Sequence, residues 1–147
     1  MEFGGKLMSL LIAAAAGALM AVQGSFNSTL GKTIGWFEGT FSVQLIGVVT
    51  AGVLLWGFRN GSFSKIGEVP WFAWLGGVIG VAIIFGVAVS IPKLGVGMAT
   101  TAIIAAQLLT AYLIDHFGWF GMETIPFDMI KAGGIILIVI GAKLLMG

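Results

Sequence analysis

Long unbroken apolar runs organise this chain, rather than alternating or one-sided patterns. A helix needs about 20 apolar residues to cross a bilayer, and five stretches reach that length: residues 7–30, 40–58, 70–91, 95–114 and 126–146. The charges fall almost wholly between them, as Lys32 and Glu38, then Arg59, Lys65 and Glu68, then Lys93, then Asp115, His116 and Glu123. Asp128, Lys131 and Lys143 lie in the end turns of the fifth run, close enough to the interface to snorkel. Pro70 and Pro126 stand at predicted helix starts, where a missing N–H is tolerated. Asn60-Gly61 marks a turn, and Pro92 closes the third run. Trp36, Trp56, Trp71, Trp74 and Trp119 flank the runs as an interfacial aromatic belt. The runs are too long and continuous for barrel strands. Lys6, the apolar run after it and the small residues from Ala14 to Ala18 look like a signal peptide. Because the run continues to Leu30, a retained first span is expected.

Composition strengthens this reading. The 147 residues are 59% hydrophobic and 9% charged, with a mean hydropathy of +1.10, whereas soluble domains carry roughly 25% charged residues. The expected fold class is an all-α membrane protein, with residues 1–147 forming one transmembrane domain of five helices. Cysteine is absent, which excludes disulfides and thiolate metal sites. His116 is the only histidine and sits at a span end, so neither a metal nor a cofactor is expected. The scattered lysines and a net charge of +1 argue against nucleic acid as a partner.

Charge also bears on orientation. Five spans put the termini on opposite sides. One side holds Lys6, Arg59, Lys65 and, at its margin, Lys131; the other holds Lys32, Lys93 and Lys143. Orientation follows the excess of Lys and Arg in cytoplasmic loops, and here the two sides nearly tie. Two accounts fit the tie: small counts are noisy, or the chain inserts both ways up and pairs with an inverted copy of itself.

Polar residues inside the spans say which faces avoid lipid. In the first span Ala13, Gly17, Ala21 and Ser25 form a stripe of small residues that suits close helix packing. Gln23 and Asn27, one turn apart, share a face roughly opposite. The second span offers Thr40 and Gln44, and the fourth Thr100, Gln107 and Thr110. Gly76, Gly77 and Gly80 in the third span, and Gly133, Gly134 and Gly141 in the fifth, are packing positions. An amide turned to lipid tails costs several kcal/mol (about 2–7), so Gln23, Asn27, Gln44 and Gln107 either bond neighbouring helices or line a polar cavity. Four such amides favour the cavity. No carboxylate, histidine or basic group stands at mid-membrane depth, and Glu38 and Asp115 occupy span ends, where capping is the expected role. No nucleophile with a buried base is visible, so an enzyme is not expected.

Several segments carry a family resemblance: Ala-Leu-Met-Ala-Val-Gln-Gly-Ser-Phe-Asn-Ser-Thr-Leu-Gly at 18–31, Pro-Trp-Phe-Ala-Trp-Leu-Gly-Gly at 70–77, Ile-Pro-Lys-Leu-Gly at 91–95, Ala-Gln-Leu-Leu at 106–109 and Leu-Ile-Asp-His-Phe-Gly at 113–118. In order and spacing they resemble the YdcZ-like family of the drug/metabolite transporter superfamily. The resemblance implies a five-span protein of the bacterial inner membrane, related to small multidrug resistance proteins and to ten-span carriers. It also implies single dual-topology chains, oppositely oriented pairs or fused halves, which favours the inverted homodimer as a ten-helix body. Gln23, Asn27 and Gln107 fall on polar positions of the family pattern. Ala106 departs from it where glycine often precedes the glutamine. The first span also lacks the glutamate of the small multidrug resistance relatives, so their proton exchange does not carry over. The expected activity is transport of a small organic solute by alternating access, with membrane lipid and an inverted copy as partners. The site would lie at the dimer interface among Gln23, Asn27, Gln44 and Gln107. A non-transporting membrane subunit and a passive channel are the alternatives.

Overall fold

The computed structural model describes residues 2–58 and 61–147, with side chains from Gly4 onward. Arg59 and Asn60, assigned above to a basic loop and a turn, lie outside the described residues. Four α-helices follow one another: α1 (Glu2–Ile34), α2 (Trp36–Gly57), α3 (Leu75–Phe117) and α4 (Met129–Met146). No strand occurs among the described residues. Four segments are long and apolar enough to cross a membrane: Gly4–Ile34, Trp36–Gly57, Trp71–Phe117 and Met129–Met146. Almost none of their most apolar windows is buried within the chain. That surface is stable only against lipid or another protein.

The helices depart from the predicted spans at their ends, each time for a local reason. α1 outruns 7–30 at both ends and α2 (predicted 40–58) begins earlier, at Trp36, because a helix bonds its own backbone and need not stop where the apolar residues do. Glu38 is therefore inside the first turn of α2, where its charge faces the positive end of the helix dipole. The fifth run begins its helix at Met129, not at Pro126. Asp128 is the N-cap, its carboxylate accepting from the Lys131 backbone N–H at 2.8 Å. Pro70 does precede a helix, a 3-10 turn (Trp71–Trp74) that runs directly into α3.

The third and fourth runs, predicted as separate spans, are joined in α3, which continues past Pro92. Proline lacks one N–H, and that loss alone does not end the helix here. The break comes at Gly95, with φ 79° and ψ 161°, a backbone region essentially reserved for glycine. It separates helical segments 75–94 and 96–117. The chain correspondingly forms two compact units, Met1–Lys93 and Leu94–Gly147.

In the first unit, α1 and α2 form a helical hairpin turned by Gly35 alone (φ 107°, ψ 149°). The Trp36 indole lies over Gly31. A methyl group on Gly39 would stand 3.2 Å from the Gly31 nitrogen and 3.3 Å from its Cα. The two backbones thus cross in near contact, as small residues permit. The packed face of α1 is Gly24, Asn27, Ser28 and Gly31, not the Ala13–Gly17–Ala21–Ser25 stripe. A side chain at Gly17 would meet nothing within 4 Å. Residues 75–93 complete the unit: Gly24 faces Val87 and Ile91, and Phe37 stacks on Phe85 with centroids 4.8 Å apart. Positions 76, 77, 133, 134 and 141, expected to pack, have open space around them within the chain.

Two glycines should therefore resist substitution. Gly39→Ala must push apart two backbones, at about 1–3 kcal/mol, and Gly95→Ala must adopt a strained backbone, at about 1–3 kcal/mol. Gly47→Ala, with open space around it, should be neutral. Unfolding midpoints of the purified protein in mixed micelles check this; a Gly39→Ala midpoint equal to wild type would rule out the close crossing.

Candidate functional site

Hydroxyls and amides behave differently inside these helices. Ser25, Thr40, Ser90 and Thr110 each donate to the carbonyl one turn earlier, at 2.7–3.0 Å. Such a bond satisfies the hydroxyl within its own helix, so Thr40 and Thr110 need no cavity. Gln23, Asn27, Gln44 and Gln107 make no hydrogen bond to any described residue.

The four amides are not equivalent. Gln23 and Asn27 open onto one groove of about 560 Å³ between α1 and α2. Its position follows from the hairpin. Asn27 and Gln23 lie one and two turns from Gly31 on α1, while Val43 and Ile46 lie one and two turns from Gly39 on α2. All four line the groove, with Ala16, Leu19 and Met20 extending its α1 wall. Asn27 is only 7% exposed; Gln23 is exposed. Gln44 does not line this groove: its Nε2 lies 4.0 Å from where a Gly80 side chain would begin. Gln107 belongs to the second unit and is exposed. Sequence reasoning missed the apolar wall from Val43 and Ile46, since nothing in α2 alone distinguishes those residues from their neighbours. It also missed the Gly24–Ser28–Gly31 face, although spacings of four and three made that face legible.

The second unit orders the turn between α3 and α4. Asp115 and His116, read above as span-end residues, both act as acceptors there. The Ile125 N–H donates to the Asp115 carbonyl at 2.8 Å, and the Phe127 N–H donates to His116 Nδ1 at 3.2 Å. That bond requires an imidazole protonated on Nε2 alone. Phe127 also meets Tyr112 and His116 edge-on, at 6.1 and 6.4 Å. Lys131 Nζ donates to the Pro126 carbonyl at 2.7 Å and lies 3.9 Å from the Asp128 carboxylate. These contacts close the turn.

Long apolar helices with little internal burial define a multi-pass integral membrane protein. Residues 8–144 match the family described as "Putative inner membrane exporter, YdcZ", and the chain belongs to that family. Its place is accordingly the inner membrane, as a multi-pass protein. An exporter family is not an enzyme class. No curated protein and no solved structure matches the chain.

The His116 contact is testable by substitution. His116→Asn keeps an acceptor near the Nδ1 position and should preserve slow hydrogen exchange at the Phe127 amide; His116→Phe should speed that exchange about two- to tenfold, the worth of one neutral hydrogen bond. Equal exchange in both variants would show that the bond does not hold the turn.

Proposed function

We propose that the protein carries a small, uncharged organic solute across the inner membrane by alternating access, as an inverted homodimer of five-pass chains. Family membership supports the transport class. The five passes are supported by the length of the third apolar segment. Its 47 residues would measure roughly 70 Å as a straight helix, against about 30 Å of hydrocarbon, and the Gly95 break divides it into two lengths that each suffice. The near-tie of basic residues supports insertion in both orientations, and inverted repeats commonly frame a transport site at their interface.

The observation that carries the reading is Asn27. Asn27 as a residue is 7% exposed and bonds no described residue, yet its amide atoms are not sealed off; they open onto a groove shared with Gln23, where a bound solute can supply the partner. In this reading Gln23 and Asn27 form the binding surface, and Gln44 and Gln107 contribute polar positions elsewhere on the transport path.

Solute flux in proteoliposomes tests the site. Asn27→Leu and Gln23→Leu should each slow flux about fivefold or more while dimers still form on gels. Full flux in both, or failure of both to assemble, would favour a purely structural role for the amides and a non-transporting subunit. Linear, unsaturable flux without counterflow would favour a channel.

Topology can be tested independently. Added lysines in the loop after α2 should hold that loop in the cytoplasm, and added lysines beside Lys93 should do the reverse. Each variant alone should be inactive and the two together active. A single locked variant that transports by itself would overturn the inverted homodimer.

A further inference from the structure

The groove has a polar end and an apolar length, and this asymmetry selects a class of solute. Asn27 lies eight residues before the Gly35 turn, roughly 12 Å along the helix, and Gln23 one turn deeper. Beyond them, Met20, Leu19 and Ala16 continue the α1 wall for 11 residues from Asn27, roughly 16 Å, while the α2 lining ends at Ile46, level with Gln23. No charged residue lines it. Leu19, Phe26 and Ile46 are 67%, 70% and 65% exposed, so in the single chain the groove is open along its side rather than a closed shaft.

We infer that the ligand is a neutral single-chain amphiphile whose head group both donates and accepts hydrogen bonds, such as a carboxamide, taken laterally from the leaflet on the side of the α1–α2 turn. The inference rests on the transport reading and narrows its substrate. A carboxamide head satisfies the carbonyl and the NH₂ of Asn27 together, which a pure acceptor or a pure donor does not. A cation or carboxylate would find no counter-charge in this wall and would lose its hydration there. The apolar body lies along Met20, Leu19 and Ile46, where a sugar or an amino acid would leave polar groups unpaired. The order of the groove, polar toward the turn and apolar toward the bilayer centre, is also that of an amphiphile in the leaflet, so entry requires no inversion.

The test uses the full chain in phospholipid vesicles and a decanamide bearing a diazirine on its alkyl chain. Photolabelling should concentrate in residues 16–27 and 43–46. Unlabelled decanamide should displace it, whereas decanoate and decyltrimethylammonium at equal concentration should not. Asn27→Leu should weaken labelling about fivefold. Ile46→Trp, which fills the groove from its exposed side and spares both amides, should abolish it even if the Asn27 variant fails to fold. Labelling spread evenly over all helices, or displaced equally by the charged amphiphiles, would overturn the inference. The two readings fail separately. Unselective labelling with Asn27-dependent flux of a polar solute would reject the amphiphile and keep the transporter. Selective labelling with no flux of any solute would keep the amphiphile and reject the transporter.

Discussion

In hydrocarbon there is no water to bond a free peptide N–H or carbonyl, so every backbone group must find its partner within the protein. The architecture follows from that constraint. Backbone bonding is local in α1, α2, α3 and α4, and most serine and threonine side chains there return their hydroxyls to the carbonyl one turn back, as Ser25 does to Ala21 and Ser90 to Gly86. Asparagine and glutamine find no such partner in these helices. The amides are therefore polar groups that remain unbonded once the helices have formed, and Asn27 is the one that combines low exposure with an opening onto the groove.

The close crossing at Gly31 and Gly39 sets where the groove lies. Where the two backbones nearly touch, no larger side chain fits. One and two turns away, Asn27, Gln23, Val43 and Ile46 border the groove. The packing that stabilises the hairpin and the space that would hold a solute thus have the same cause. Gln44, on another face of α2 near Gly80, is separated from that groove by helix geometry alone.

The turn between α3 and α4 shows the opposite use of polar groups. His116 accepts a loop N–H through its ring nitrogen, and Asp115 accepts another through its backbone carbonyl. With Asp128 capping α4 and Lys131 held on the Pro126 carbonyl, the polar groups of this end bond one another. Membrane proteins need such ordering where the chain leaves the helix, because irregular backbone must be satisfied before it meets lipid.

Sequence by itself was enough to establish a helical membrane protein, the approximate reach of its apolar segments and the family to which it belongs. Those properties depend on local composition, which lipid reads residue by residue. The tryptophans near helix ends were legible for the same reason, whereas the break at Gly95, rather than at Pro92, was not. The neighbours of each helical face were not. Gly17 and Gly31 look alike in sequence, but only Gly31 meets another backbone. Asn27 and Gln107 carry the same amide, but only Asn27 is enclosed. The order of the loop before α4 depended on a bond from Phe127 to His116, 11 positions away along the chain. Contacts of that kind arise only when helices pack, since period and composition select a face without naming what lies against it.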